Sequence, residues 1–184
     1  MEANKANLVH VDLEIPRNIT YQLVYRLIKN EPFDLLPIEA ANFRYISSFK
    51  DIFPYYQILY THFGLMSSIK MVLKILSSER NFYFVYMNQQ VVHSGWITFS
   101  KCKYYWIDYG SAVVGPIWTS EAARGLGLAT YALKSTINVL MEKKISIFYI
   151  DTSNSNIACQ QVISKCGFGK AVAVYLRNIK QISI

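Results

Sequence analysis

The sequence predicts an α/β domain with a mixed, mostly antiparallel sheet flanked by helices. Three observations carry that expectation. Residues 112–150 read as strand, glycine loop, helix and strand. Ala112-Val113-Val114-Gly115-Pro116-Ile117-Trp118 is apolar and partly β-branched. Leu133, Ile137, Leu140 and Met141 fall at helical spacing, and residues 145–150 are almost continuously apolar. That order makes a right-handed βαβ unit. Upstream, residues 81–87 and 91–99 flank Asn88-Gln89-Gln90 as a hairpin would, and Tyr104 to Tyr109 lead through Gly110-Ser111 into the βαβ unit as a meander. Finally, 184 residues with 52% hydrophobic side chains suffice for one domain with a sizeable core.

From the start in order, residues 8–15 alternate in part as a strand would, Pro16 ends the run, and residues 19–28 read as a short helix or a second strand. Pro32 and Pro37 punctuate a loop. Residues 1–40 are therefore taken as an N-terminal extension and 41–184 as the core of a single domain. Residues 42–46 read as the first core strand, and Ser47, Ser48 and Asp51 offer caps to a following helix. Residues 53–63 and 67–76 read as helices broken at Gly64. Phe53, Tyr56, Leu59, Tyr60 and Phe63 make an aromatic stripe that either packs in the core, walls an acceptor site or meets a membrane surface. After Gly167-Phe168 only residues 171–175, extended at most to 184, are left for a strand, so the C-terminal end is short.

Within the βαβ unit, Gly115-Pro116 interrupts the strand. Proline removes a ladder donor and glycine packs nothing, which predicts a bulge where a ligand or another backbone comes close. Arg124-Gly125-Leu126-Gly127-Leu128-Ala129 then opens the helix. Two glycines let the backbone approach a ligand, the unpaired amides of the first turn form an anion site, and Arg124 adds a positive charge. A phosphate or pyrophosphate is the natural occupant. The phosphate-loop pattern would need Lys-Ser/Thr where Leu128-Ala129 stands, and the dinucleotide pattern would need glycine at Thr130. A tight strand-to-helix turn without a ligand is the bland alternative.

A net charge of +7 suits acidic ligands, but the cations are scattered and no nucleic-acid motif is present, so a nucleic-acid partner is not expected. Cys102, Cys159 and Cys166 are odd in number and lack metal-ligand spacing. Reduced thiols in a cytoplasmic protein are the expectation, with no metal. The opening Met1-Glu2-Ala3-Asn4-Lys5 leads to no signal-peptide core, and no run of about eighteen apolar residues predicts stable membrane insertion.

Arg124-x-x-Gly127-x-Ala129 resembles the acetyl-coenzyme A signature of the GNAT N-acetyltransferases. Asn156 through Cys166-Gly167-Phe168 resembles that family's next helix, which opens with Asn and closes in Gly-Phe. The two motifs occur in order around one strand, and the resemblance covers about residues 81–168. It implies a GNAT-like fold and an enzyme that transfers acetyl from acetyl-coenzyme A to a primary amine. The loop from Arg124 through Gly125, Leu126, Gly127 and Leu128 to Ala129 would hold the pyrophosphate. The strand at Ile117, Trp118 and Thr119 would pair with the pantetheine arm, and Asn156 would lie near that arm or the sulfur. Many members carry a Tyr where Ile163 stands, as the acid for the leaving thiolate, so another acid or water must serve here.

Direct attack by an amine needs a base and an amide that polarises the carbonyl. Asp108, just before the strand at residues 112–118, and His93, in the preceding strand, are the candidate bases. The acceptor expected is a nucleotide-linked amino sugar, as for members acting in surface-polysaccharide pathways. A protein N-terminus, another small amine and a non-catalytic coenzyme A-binding module are the alternatives, and a homodimer stays open.

Overall fold

The computed structural model describes residues 20–77 and 80–176. Its strands are β1 (Gln22–Ile28), β2 (Asn42–Ile46), β3 (Arg80–Met87), β4 (Gln90–Phe99), β5 (Ala112–Thr119), β6 (Ile147–Ser153) and β7 (Ala173–Tyr175). Its helices are α1 (Phe49–Ile52), α2 (Tyr56–Phe63), α3 (Leu65–Leu76), α4 (Leu128–Glu142) and α5 (Ile157–Lys165), with one-turn 3₁₀ segments at Phe53–Tyr55 and Glu121–Ala123. The strands form one sheet in the order β2-β3-β4-β5-β6-β1-β7. Only β5 and β6 run parallel; the other neighbours are antiparallel.

Local chemistry explains most elements. Asn88 and Gln89 take positive φ of 48° and 61° in the two-residue turn between β3 and β4, the backbone that suits the twist of a tight hairpin. Asp51 caps α1 by accepting the amides of Ser47 and Ser48 at 2.8 Å. The helical layer breaks at Gly64, as expected. Leu133, Ile137 and Leu140 bury one face of α4, and Ile163 and Cys166 from α5 and its end join them against the sheet.

The N-terminal residues hold the main topological result. The expected strand at 8–15 lies outside the described residues, as does any extension of β7 to 184. Residues 22–28 form a strand rather than a helix, and it lies inside the sheet. β1 pairs along its whole length with β6, from Gln22↔Ser153 to Ile28↔Ile147, and on its other edge with β7. The short C-terminal end is thus completed by an N-terminal strand.

Two layers cover the sheet. α4 and α5 pack on one face with Val85, Ile97, Val114, Phe148 and Ile150. On the other, α1–α3 pack on Phe82, Phe84 and Val91, while loop 100–111 covers Val24, Val113, Tyr149 and Tyr175 with Tyr105.

Candidate functional site: a cleft where two parallel strands part

β5 and β6 pair through only two residue couples, Ala112↔Phe148 and Val113↔Tyr149. Beyond Val113 the strands diverge. On its other side β5 stays paired with β4, but the register slips between Gly95 and Ile97, where Gly115 and Pro116 occupy the bulge predicted from their chemistry. The Ser120 amide donates to Val92 O on β4 at 2.9 Å. Alternation along an extended strand turns the amides of Ile117 and Thr119 the other way, toward the gap.

The gap is a cleft of about 970 Å³ that reaches both faces of the sheet. At the α4–α5 end it is bordered by Arg124, Gly125, Gly127, Leu128, Ala129, Asn156 and Lys165. At the other end it is bordered by Arg80, Lys101, Lys103, Tyr104 and Asp151. Ile117, Trp118 and Thr119 line it between. Of the predicted binding residues, only Leu126 does not border the cleft; it is exposed at the tip of the loop.

The loop is built as its chemistry requires. Gly125 and Gly127 take φ of +80° and +76°, a backbone that side chains with Cβ rarely adopt. The first helical bond runs from Tyr131 N–H to Gly127 O at 3.0 Å, so the amides of Leu128, Ala129 and Thr130 have no intrahelical acceptor. They open onto the cleft at the positive end of the 15-residue helix α4. Arg124 stands beside them, 64% exposed and 3.6 Å from Glu121. Asn156 caps α5 by accepting the Cys159 amide at 3.1 Å, which sets that helix end against the cleft. Ile163 is fully buried in the core cluster, so no phenol reaches the cleft from that position.

Neither candidate base borders the cleft. Asp108 accepts from Arg26 Nη2 at 2.6 Å and from the Tyr149 hydroxyl at 2.9 Å; these two partners hold its carboxyl below the usual range. His93 is fully buried, with Nδ1 2.8 Å from Thr119 Oγ1. It therefore meets the cleft only through Thr119. Burial pushes its imidazole down to about 4, and it is neutral at pH 7.

That shift has a measurable sign. An imidazole titrating near 6.5 in the unfolded chain and near 4 in the folded one favours the unfolded state as protons are added. The stability is fully present above about pH 6.5 and is lost progressively down to about pH 4, by roughly 3 kcal/mol in total. Thermal melts of the wild type should fall more steeply over that window than melts of His93→Gln. Parallel curves would remove the assignment.

Asp151 was missed in the sequence. It lies on β6 between Ile150 and Thr152 and lines the cleft. Strand alternation puts Phe148 and Ile150 in the α4–α5 core and turns Tyr149 and Asp151 to the opposite face. Its carboxylate accepts from the Tyr175 hydroxyl at 2.7 Å and the Tyr105 hydroxyl at 3.2 Å. Burial, and then the adjacent Asp151 charge, raise the Tyr105 phenol far above its ordinary range, so it stays protonated and donating. The sequence marks it only as the acid that follows the apolar run Ile147-Phe148-Tyr149-Ile150. The aromatic segment 53–63 does not line the cleft; His62 alone approaches it, 4.8 Å from the Trp118 ring.

Comparison with known proteins agrees with this geometry. No curated protein matches the sequence. Among solved structures, a GCN5-related N-acetyltransferase from Sphaerobacter thermophilus is similar, with TM-score 0.62 and 14% identity over 86% of this chain and 50% of that one. A GNAT-family acetyltransferase from Colwellia psychrerythraea has TM-score 0.54 and 15% identity over 84% of this chain and 54% of that one. This chain thus spans about half the length of those two proteins. An aminoglycoside 6'-N-acetyltransferase from Acinetobacter haemolyticus has TM-score 0.54 and 13% identity over 77% of this chain and 99% of that one. At these identities the likeness shows the fold. The model of the Acetyltransferase (GNAT) family matches residues 46–168, two thirds of the sequence, and the chain belongs to that family.

Proposed function

We propose that this protein transfers acetyl from acetyl-coenzyme A to a primary amine by direct attack. The observation that carries the reading is the parting of β5 and β6 beside the Arg124–Ala129 loop, with the amides of Ile117 and Thr119 facing the gap. The loop amides and the α4 dipole suit the pyrophosphate, and the one-sided strand suits the amide-bearing pantetheine arm, which binds as a further strand would. Asn156 borders the same passage.

The acceptor enters from the opposite face, where Asp151 is the carboxylate at the cleft. In this role Asp151 takes the proton from the ammonium, and the freed amine nitrogen attacks the thioester carbonyl carbon. A backbone amide of the bulged strand stabilises the oxyanion; as the C–S bond breaks the nitrogen gives up its second proton to water, and the thiolate leaves. With Ile163 buried, water is the proton source for that thiolate. His93 acts only as a positioning residue, holding Thr119, and Asp108 fixes loop 100–111 to β1 and β6 through Arg26 and Tyr149.

A nucleotide-linked amino sugar fits the acceptor end. Arg80, Lys101 and Lys103 border that mouth, and Tyr104 stacks on Tyr175 there, with ring centroids 5.6 Å apart and planes 9° from parallel. Cations suit a diphosphate, and an aromatic face suits a sugar or a base. The test is an acceptor screen with acetyl-coenzyme A, nucleotide amino sugars and ribosomal N-terminal peptides. Turnover of the nucleotide sugars is expected. Turnover of peptides alone would replace the acceptor assignment, and thioester hydrolysis with no acetylated amine would favour a coenzyme A-binding module.

A further inference from the structure

The helical layer α1–α3 is apolar on both sides. Its inner side buries Ile52, Leu59, Met71 and Ile75 against the sheet. On the outer side of α3, Leu65, Met66, Ile69, Leu73 and Leu76 are all between 45% and 65% exposed. At a helical turn of about 100° per residue these five fall within an arc of about 100°, and Met71 and Ile75 lie on the far side of the helix. Phe53, Tyr56 and Tyr60, in the segment just before, are also more than half exposed. The five α3 side chains alone present on the order of 500 Å² along one helix face, at the upper end of the largest apolar patch on an ordinary monomer. A helix apolar on two faces needs a second partner.

The charges select that partner. From residue 52 to residue 77 the sequence has no Asp or Glu, and its formally charged side chains are Lys70 and Lys74. Lys70 follows about 40° beyond the apolar arc, whereas Lys74 turns toward the sheet, with Nζ 5.2 Å from the centroid of the Trp96 ring on β4. A two-fold contact with a second copy would bring Lys70 toward its own copy, with no acid in the segment to pair with it. An anionic lipid surface accepts every feature. The Leu, Ile and Met side chains enter the headgroup–acyl boundary, Tyr56 and Tyr60 suit headgroup level, and Lys70 meets lipid phosphates. The net charge of +7 acts in the same direction.

We propose that the outer face of α2 and α3 docks the protein peripherally on an anionic membrane surface. This does not depend on the acetyl-transfer reading, because none of these eight residues lines the cleft.

Flotation of the full chain with vesicles tests it. The protein should float with phosphatidylcholine vesicles containing phosphatidylglycerol, less so in high salt, and remain behind with phosphatidylcholine alone. The double variant Met66→Glu/Leu73→Glu should lose roughly tenfold or more of that partition while its circular dichroism and melting temperature hold, since both residues are exposed. Absence of flotation with the anionic vesicles, or equal flotation of the variant, would overturn the proposal. So would a doubled mass in sedimentation that the same variant halves, since the face would then belong to a second copy.

Discussion

Replacing Gly127 by valine is expected to abolish acetyl-coenzyme A binding, by a hundredfold or more, and to leave the domain folded. The position combines two demands. Its φ of +76° is strained for a β-branched residue, by about 1–3 kcal/mol. Its backbone also leads into the three amides of Leu128, Ala129 and Thr130, so any relief of strain moves the anion site itself. The protein gives little resistance, since a Cβ at Gly127 would meet only Ile38 Cδ1, at an ordinary 3.9 Å. The new side chain is harmful on the ligand side rather than in the core. Calorimetric titration should therefore show no heat with the variant at concentrations that saturate the wild type, while its melting temperature drops by only a few degrees. Arg124→Ala is the contrast: that guanidinium is largely exposed, its charge is screened by salt, and its loss should weaken binding by about tenfold or less. Equal binding by Gly127→Val and wild type would remove the loop from the coenzyme A site.

The loop's shape was legible in the sequence because it is a backbone property. Glycines at 125 and 127, a charge at 124 and flanking apolar runs are local signals, and the β5 bulge was equally local in Gly115-Pro116. The position of β1 was not legible. Gln-Leu-Val-Tyr-Arg-Leu-Ile has a strand-like composition, but its partners β6 and β7 lie more than a hundred residues away, and register is set by pairing rather than by the segment itself. Side-chain direction caused the other gap. In the sequence His93 and Asp108 stand out for what they can titrate and for their nearness to β5. The fold turns His93 into the core, against Thr119, and ties Asp108 to Arg26 and Tyr149. The aromatic stripe at 53–63 divides in the same way: Leu59 is buried, Phe63 partly buried, and Phe53, Tyr56 and Tyr60 face outward. Only the three-dimensional alternation along β6 singles out Asp151.

Asp151→Asn should lower turnover by about 10²–10⁴-fold, the range expected when a positioned base is removed, with acetyl-coenzyme A affinity unchanged. The substitution keeps size and shape. The Tyr105 and Tyr175 hydroxyls use different carboxylate oxygens, so in the variant one still donates to the amide oxygen and the other rotates to accept from the amide N–H, and loop 100–111 and β7 should hold their places. What disappears is the charge that binds an ammonium and the basic oxygen that takes its proton. The two kinetic constants separate these roles from a general disturbance. Loss of kcat with a steady KM for acetyl-coenzyme A assigns Asp151 to the chemical step, whereas a rise in both KM values with kcat retained would reduce it to a binding contact. Asp108→Asn provides the internal comparison. It weakens a half-exposed ion pair with Arg26, a change of about 1 kcal/mol or less in stability, and should leave turnover within a few fold of wild type. If Asp108→Asn is instead the crippled enzyme and Asp151→Asn retains activity, the proton leaves by way of loop 100–111, and the acceptor end of the cleft must be placed on the Asp108 side of β5.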